Sequence, residues 1–180
     1  MTKRALLIVL AALPAAAGCG PAAAPEIVKG DAPLGGTDSA DYLDRLSSTE
    51  TVSEAVALEG ILQVLGQSQE RSFAEAVAYL RQQGIVSARW RCQADRDVTK
   101  GRVAYMVYQT CQLKGGVTLT LTGPSQRYCL KELQYLGLVT EGQTYNTVTG
   151  MEYVAILSRA DELRRTGKVP DVIRMEEAAE

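Results

Sequence analysis

The chain contains two copies of one composite segment, and that constrains its fold more than any other feature. Val98-Thr-Lys-Gly-Arg-Val-Ala-Tyr-Met-Val-Tyr108 is echoed by Val148-Thr-Gly-Met-Glu-Tyr-Val-Ala-Ile-Leu157. In each copy a Val-Thr pair opens a run of apolar residues at helical spacing. A Leu-x-x-x-Gly-Ile/Leu-Val signature precedes each copy, at Leu80–Val86 and at Leu133–Val139. A helix–loop–helix unit leaves one apolar face open, so two such units are expected to stack and share a core.

The periodicity predicts five helices. Thr51-Val-Ser-Glu54 reads as a capping box, with Val52, Ala55, Val56, Leu58, Leu62 and Leu65 at helical spacing behind it and Gly66 as the stop. Ser72 to Glu75 is a second box, and Phe73, Ala76, Val77 and Leu80 form the stripe of a helix that ends at Gly84. Residues 87–97 are polar and charged and read as a loop holding Trp90 and Cys92. Thr99 caps the next helix, with Val103, Val107 and Cys111 on one face and Gly115-Gly116 as its stop. Val117-Thr-Leu-Thr-Leu-Thr122 alternates apolar and polar residues and predicts a half-buried strand. Ser125 caps a helix bearing Cys129, Leu130, Leu133 and Leu136, and Thr149 to Glu152 is a third capping box ahead of the last helix. The expected fold is therefore mostly α. Two stacked helix–loop–helix repeats and an N-terminal helix, with one or two short β-strands, occupy residues 48–170, and residues 171–180 form an acidic tail. A unit of that size buries roughly two-thirds of its extended surface.

The N-terminus predicts export. Lys3 and Arg4 precede the apolar run Ala5–Leu13, which is too short to span a bilayer, and Pro14 and small residues follow. Residues 1–18 thus read as a signal peptide. Ala16-Ala17-Gly18-Cys19 resembles the lipobox of bacterial lipoproteins, with Ala16 where that family usually has Leu. The resemblance implies a diacylglycerol thioether and an acylated amine on Cys19, hence a stable membrane anchor. The other reading is an ordinary signal peptide cut near Ala17. By the same resemblance, Gly20 after the cysteine favours an outer-membrane location in the cell envelope. Residues 19–47, rich in Ala, Pro, Gly and Asp, are expected to form a flexible tether. Loss of residues 1–18 leaves 17 basic and 21 acidic side chains, a balance of −4. No basic surplus or polybasic run is present to favour nucleic acid or an anionic membrane surface.

Helix, Gly-Ile-Val, loop, then a helix opened by Val-Thr: this order resembles the S-layer homology module of bacterial envelope proteins. It covers residues 73–113 and, more faintly, 125–163. That family opens its second helix with a Thr-Arg-Ala-Glu type motif, here Thr99-Lys100-Gly101-Arg102 and Thr149-Gly150-Met151-Glu152. The family typically arranges three units, where two are evident in this sequence. The resemblance implies binding of a charged secondary cell-wall polymer. The whole chain also resembles small envelope lipoproteins of planctomycete type, a likeness that carries no activity with it.

The chemistry-bearing residues point the same way. The chain has no His, no Gly-x-Ser-x-Gly elbow and no Ser-x-x-Lys, so the usual nucleophile–base pairs are missing. Without His or a Cys-x-x-Cys, no zinc site of the usual kind is expected. No phosphate loop or dinucleotide fingerprint appears, and no cofactor is expected. Glu132, Glu152, Asp161 and Glu162 are available for paired-carboxylate hydrolysis, but the last three lie on one helix, where capping or solvated roles are the default. Cys92, Cys111 and Cys129 are three in number, so one is left over from any disulfide; Cys111–Cys129 is the expected pair and Cys92–Cys111 the rival.

The remaining candidate site is Arg89, Trp90, Arg91, Lys100 and Arg102, with Arg96 nearby, where cations gather at a helix N-terminus. It is expected to bind a polymer or other anion. In the bland alternative Trp90 folds onto the core and Asp95 and Asp97 neutralise the charge. The expected protein is thus a non-catalytic envelope lipoprotein with a cell-wall or surface-layer polymer as ligand. The alternative is an envelope interaction or assembly factor with a protein partner, and an envelope hydrolase stands third.

Overall fold

A computed structural model describes residues 33–34, 39–67, 69–115 and 117–169. The signal peptide at 1–18, Cys19, most of the tether and the tail at 171–180 lie outside the described residues. The fold is mostly α. Its elements are β1 (Pro33–Leu34), α1 (Ser39–Ser47), α2 (Glu54–Val64), β2 (Arg71–Ser72), α3 (Phe73–Gln82), α4 (Lys100–Thr110), α5 (Val117–Thr122), α6 (Gln126–Tyr135) and α7 (Gly150–Thr166). The two-residue strands β1 and β2 pair antiparallel, Leu34 opposite Arg71.

The repeat has three copies, not two. Val52-Ser53 opens α2 as Val98-Thr99 opens α4 and Val148-Thr149 opens α7. Ser53, Thr99 and Thr149 are the N-caps, each accepting from the backbone N–H three residues on. Each unit pairs a first helix with a second: α1 with α2, α3 with α4, α6 with α7. The units interlock. The first helix of each packs on the second helix of the preceding unit, α3 on α2 and α6 on α4, and α1 on α7 closes the ring.

Backbone bonds join the three openings. An N1 amide has no partner inside its own helix. Here Glu54 N–H donates to Arg96 O at 2.7 Å, Lys100 N–H to Asn146 O at 2.8 Å, and Gly150 N–H to Thr49 O at 3.0 Å. Val98 N–H donates to Val52 O and Val52 N–H to Val148 O. Val52, Val98 and Val148 are fully buried. Burial of a valine stabilises by roughly 1.5 kcal/mol or more, so these three residues help hold the joints that order the whole core.

Several expectations change. The tether expected to reach residue 47 is shortened, because α1 folds onto α7 and buries Tyr42 and Leu46, which stand one turn apart. The capping box expected at Thr51 does not form. Ser53 is the cap, and Thr51 instead donates its hydroxyl to Asp97 Oδ1 at 3.0 Å. The strand expected at Val117–Thr122 is the short helix α5. Alternation alone does not make a strand, which needs a partner for its N–H and C=O groups, and none lies beside this segment among the described residues. A helical turn satisfies them locally. Helix α4 stops before Gly115-Gly116: Cys111 is its cap and Gln112 takes the left-handed conformation at φ +49°, at a cost of about 1 kcal/mol. Gly115 serves packing, since a Cβ there would meet Leu119 Cδ1 at 2.5 Å and the Tyr108 hydroxyl at 2.6 Å.

Gly150 is the tightest point of the ring. A Cβ at this position would lie 1.7 Å from Leu46 O and 2.8 Å from Thr49 O. Both obstacles are backbone, so no rotamer change relieves them. Gly150→Ala is expected to destabilise by about 3 kcal/mol or more, at or beyond the upper end of overpacking costs. Urea denaturation read by far-ultraviolet circular dichroism checks this, and an unchanged midpoint would count against the closed ring.

Candidate functional site

The structure divides the predicted cation cluster between two joints of the ring. Arg102 stands at N3 of α4 and reaches back to Glu54, the N1 residue of α2. Glu54 is 4% exposed, and its carboxylate takes a close ion pair from Arg102 Nη1, a bond from Arg96 Nε at 2.8 Å and one from the Gln93 amide at 2.8 Å. Arg102 also lies over the Trp90 ring, 5.0 Å from its centroid. The indole meets Tyr105 edge-on at 5.1 Å. Burial pulls the Arg102 guanidinium below its ordinary pKa, while Glu54 acts in the opposite direction. The backbone carbonyl of Arg91 accepts from Arg96 and Arg102, which fixes the loop over the pair.

Lys100 stands at N1 of α4 and faces the next joint. Its ammonium meets Glu152 Oε1 at 2.8 Å, Thr140 Oγ1 at 3.0 Å and Glu141 O at 2.8 Å. Three acceptors occupy its three protons. Glu152 is the N3 residue of α7, so it is engaged by Lys100 and Thr140 instead of closing the expected capping box on Thr149. The two joints are counterparts of reversed sign. At one, an N1 acid meets an N3 base; at the other, an N1 base meets an N3 acid. The third joint carries neither. There Gly150 is the N1 residue, and Tyr42 and Tyr153 donate to Val56 O at 2.8 Å and Ala57 O at 2.5 Å. Burial raises both phenols well above their ordinary pKa.

Lys100 and Arg102 are therefore engaged inside the domain and do not join the outer loop as an anion site. Arg89 and Arg91 are exposed, and among the described residues neither side chain has an ion-pair partner. Trp90 between them is half-buried. Beneath it, the cavity bounded by Leu58, Val86, Trp90, Cys92, Val98 and Met106 encloses about 10 Å³, room for roughly one water and no ligand.

The expected Cys111–Cys129 disulfide is absent, and so is its rival Cys92–Cys111: all three thiols are free. The helices are adjacent but the side chains diverge. Cys111 turns toward α7 and donates to Ala160 O at 3.6 Å, whereas Cys129 is buried beside Tyr108. Burial pushes the Cys111 thiol up to about 11 and the Cys129 thiol up to about 12, and it raises Cys92 as well. Among the described residues no group of three or more Cys, Asp or Glu stands ready to hold a metal ion, and no helix is long and apolar enough to cross a membrane. Each of the two open grooves described is lined by one carboxylate, Asp161 between α2 and α7 and Glu141 beside α6. Neither offers the facing pair that glycoside hydrolysis uses.

Sequence reasoning missed Glu54 and Glu152 as the partners of these cations. The available signal was position: each is the N1 or N3 residue behind a Val-Ser or Val-Thr opening. Comparison of the chain with protein-family models, curated proteins and solved structures found no match.

Removing one partner from a buried ion pair leaves an uncompensated charge and typically costs about 3–5 kcal/mol. Glu54→Gln is expected to fall in that range by urea denaturation, and the Glu54→Gln/Arg102→Met double variant is expected to recover part of the loss. A double variant no better than the single would show the pair to be unimportant. The thiols give a separate check. At pH 8 in the native state, alkylation by iodoacetamide of Cys111 and Cys129 is expected to be slow, becoming rapid in urea, and non-reducing peptide mapping should recover each as a free thiol.

Proposed function

We propose that the chain is a non-catalytic lipoprotein of the cell envelope, anchored through Cys19, whose domain holds to an anionic cell-wall or surface-layer polymer. The observation that carries this reading is the Trp90 loop. Among the described residues Arg89 and Arg91 stand exposed without an ion-pair partner on either side of a half-buried indole, while the neighbouring cations are occupied within the fold. Guanidinium groups beside an aromatic edge suit a carboxylated or phosphorylated sugar, with bidentate bonds to the acid and stacking on the ring. The third unit, opened by Val52-Ser53, adds support, since three units are what the S-layer homology resemblance implies. The binding set is thereby narrowed to Arg89, Trp90 and Arg91, with Lys100 and Arg102 as the frame beneath.

A second reading has its own observation. A groove of about 360 Å³ runs between α2 and α7, floored by Val64, Val154 and Leu157 and edged by Leu43. An envelope protein partner seated there would make the domain an assembly factor, and site-specific crosslinking from Ser158 in cells would capture it.

Trp90 is the chain's single tryptophan, so its fluorescence reports on the loop directly. Titration with isolated anionic envelope polymer is expected to shift its emission with saturation. Arg89→Ala/Arg91→Ala is expected to weaken binding about tenfold or more at unchanged stability, in line with two lost charge-assisted contacts. Lys100→Ala is expected to lower stability instead. Equal affinity in the double-arginine variant would remove the proposed site.

A further inference from the structure

The hairpin of α5 and α6 presents a second surface of different character. At 100° per residue, Arg127, Lys131, Tyr135 and Tyr128 fall within one arc of α6, opposite Cys129 and Leu133, which are buried against α4. Tyr135 is 86% exposed and Tyr128 38%. Leu121, in the last turn of α5, is 81% exposed, and exposed Lys114 lies in the segment leading into α5. Among the described residues Lys114, Arg127 and Lys131 have no ion-pair partner. Glu132, half-buried on the same helix, lies at the edge of this arc, about 40° beyond Tyr128. Glu141 faces Lys131 and Tyr135 only across the neighbouring groove.

A lone exposed leucine or tyrosine is ordinary. Among the described residues, two cations without an ion-pair partner share one arc of α6 with two tyrosines, and exposed Lys114 and Leu121 stand on the adjoining segment and α5, which is a particular combination. Tyrosine settles at the headgroup level of a bilayer, with its ring toward the acyl chains and its hydroxyl in water. Lysine and arginine lay their stems along the same boundary and extend their charges to phosphate. An aliphatic side chain at the tip adds burial that an acidic polysaccharide has no means to reward. We propose that the α5–α6 hairpin is a membrane-surface contact, in which Lys114, Arg127 and Lys131 meet anionic phospholipid headgroups while Leu121, Tyr128 and Tyr135 settle into the interface. The contact stands on these residues alone and is independent of the Trp90 loop and of lipidation at Cys19.

The test uses the full chain carrying Cys19→Ser, with and without Leu121→Trp, and vesicles in which the phosphatidylglycerol acyl chains are brominated. In the parent, emission comes from Trp90 and is expected to be little quenched. The Leu121→Trp chain is expected to gain blue-shifted emission that brominated phosphatidylglycerol quenches and 0.5 M salt releases. Brominated phosphatidylcholine vesicles are expected to leave it unquenched. Adding Lys114→Glu, Arg127→Glu and Lys131→Glu is expected to cut hairpin partitioning at least about a hundredfold, from roughly fivefold per charge near a membrane surface. Because the signal arises at the hairpin itself, attachment of the chain by its N-terminus does not mimic it. Quenching no greater than in the parent would overturn the proposal, as would quenching that survives charge reversal. Retention on immobilised acidic polysaccharide that the reversal abolishes, with the vesicle signal absent, would reassign the surface to a glycan.

Discussion

Three backbone joints hold this domain together. The first amide of each second helix needs an acceptor that its own helix does not supply, and the segment leading into the next unit supplies it. Glu54 donates to Arg96, Lys100 to Asn146 and Gly150 to Thr49. These bonds bring the three cap segments to one centre, where Val52, Val98 and Val148 are buried. The interlocking of first and second helices follows from that geometry, and so does the burial of α1 by α7 at the closing joint. With that closure broken, Tyr42, Leu46 and Tyr153 would lose the surfaces that bury them.

Charge is fitted to the joints, not spread over a face. Glu54 with Arg102 and Lys100 with Glu152 are equivalent in position and opposite in sign. A helix N-terminus favours an acid at N1 or N3 and disfavours a base. The joint where Glu54 is N1 follows that preference directly. The other places Lys100 at N1 against it, and the arrangement holds because Glu152, Thr140 and Glu141 O surround the ammonium. The side chains that a sequence reader would assign to binding are thus the ones the fold most needs inside. Arg89 and Arg91 are left outside by the same logic: the loop is tied down through the Arg91 carbonyl, so its side chains point away from the joint.

Much of this was legible in the chain. The Val-Thr openings, the Ser72, Ser125 and Thr149 caps, and the stops at Gly66, Gly84, Gly137 and Gly167 all appear where their local chemistry places them. The first copy of the repeat was harder to see. It has Ser for Thr, and its first helix carries only Tyr42, Leu43 and Leu46 as large apolar residues, so composition concealed it within an apparent tether. Residues 117–122 have the alternation of a strand but no strand to pair with. The ion pairs span 48 residues in one case and 52 in the other, a separation at which spacing carries no information. Cys111 and Cys129 sit on the apolar stripes of neighbouring helices, but the thiols turn to different neighbours, a difference that helical periodicity does not encode.

The unlikeness of the three joints has a consequence for the order of the units. Identical units with identical edges would be interchangeable, and one could take another's place in the ring. Here one edge fits acid to base, the next fits base to acid, and the last admits only a glycine against the backbone of Leu46 and Thr49. Each unit therefore recognises one neighbour and rejects the others through like charge or steric overlap. The ring carries its own address code, and that code fixes the order in which the three units meet.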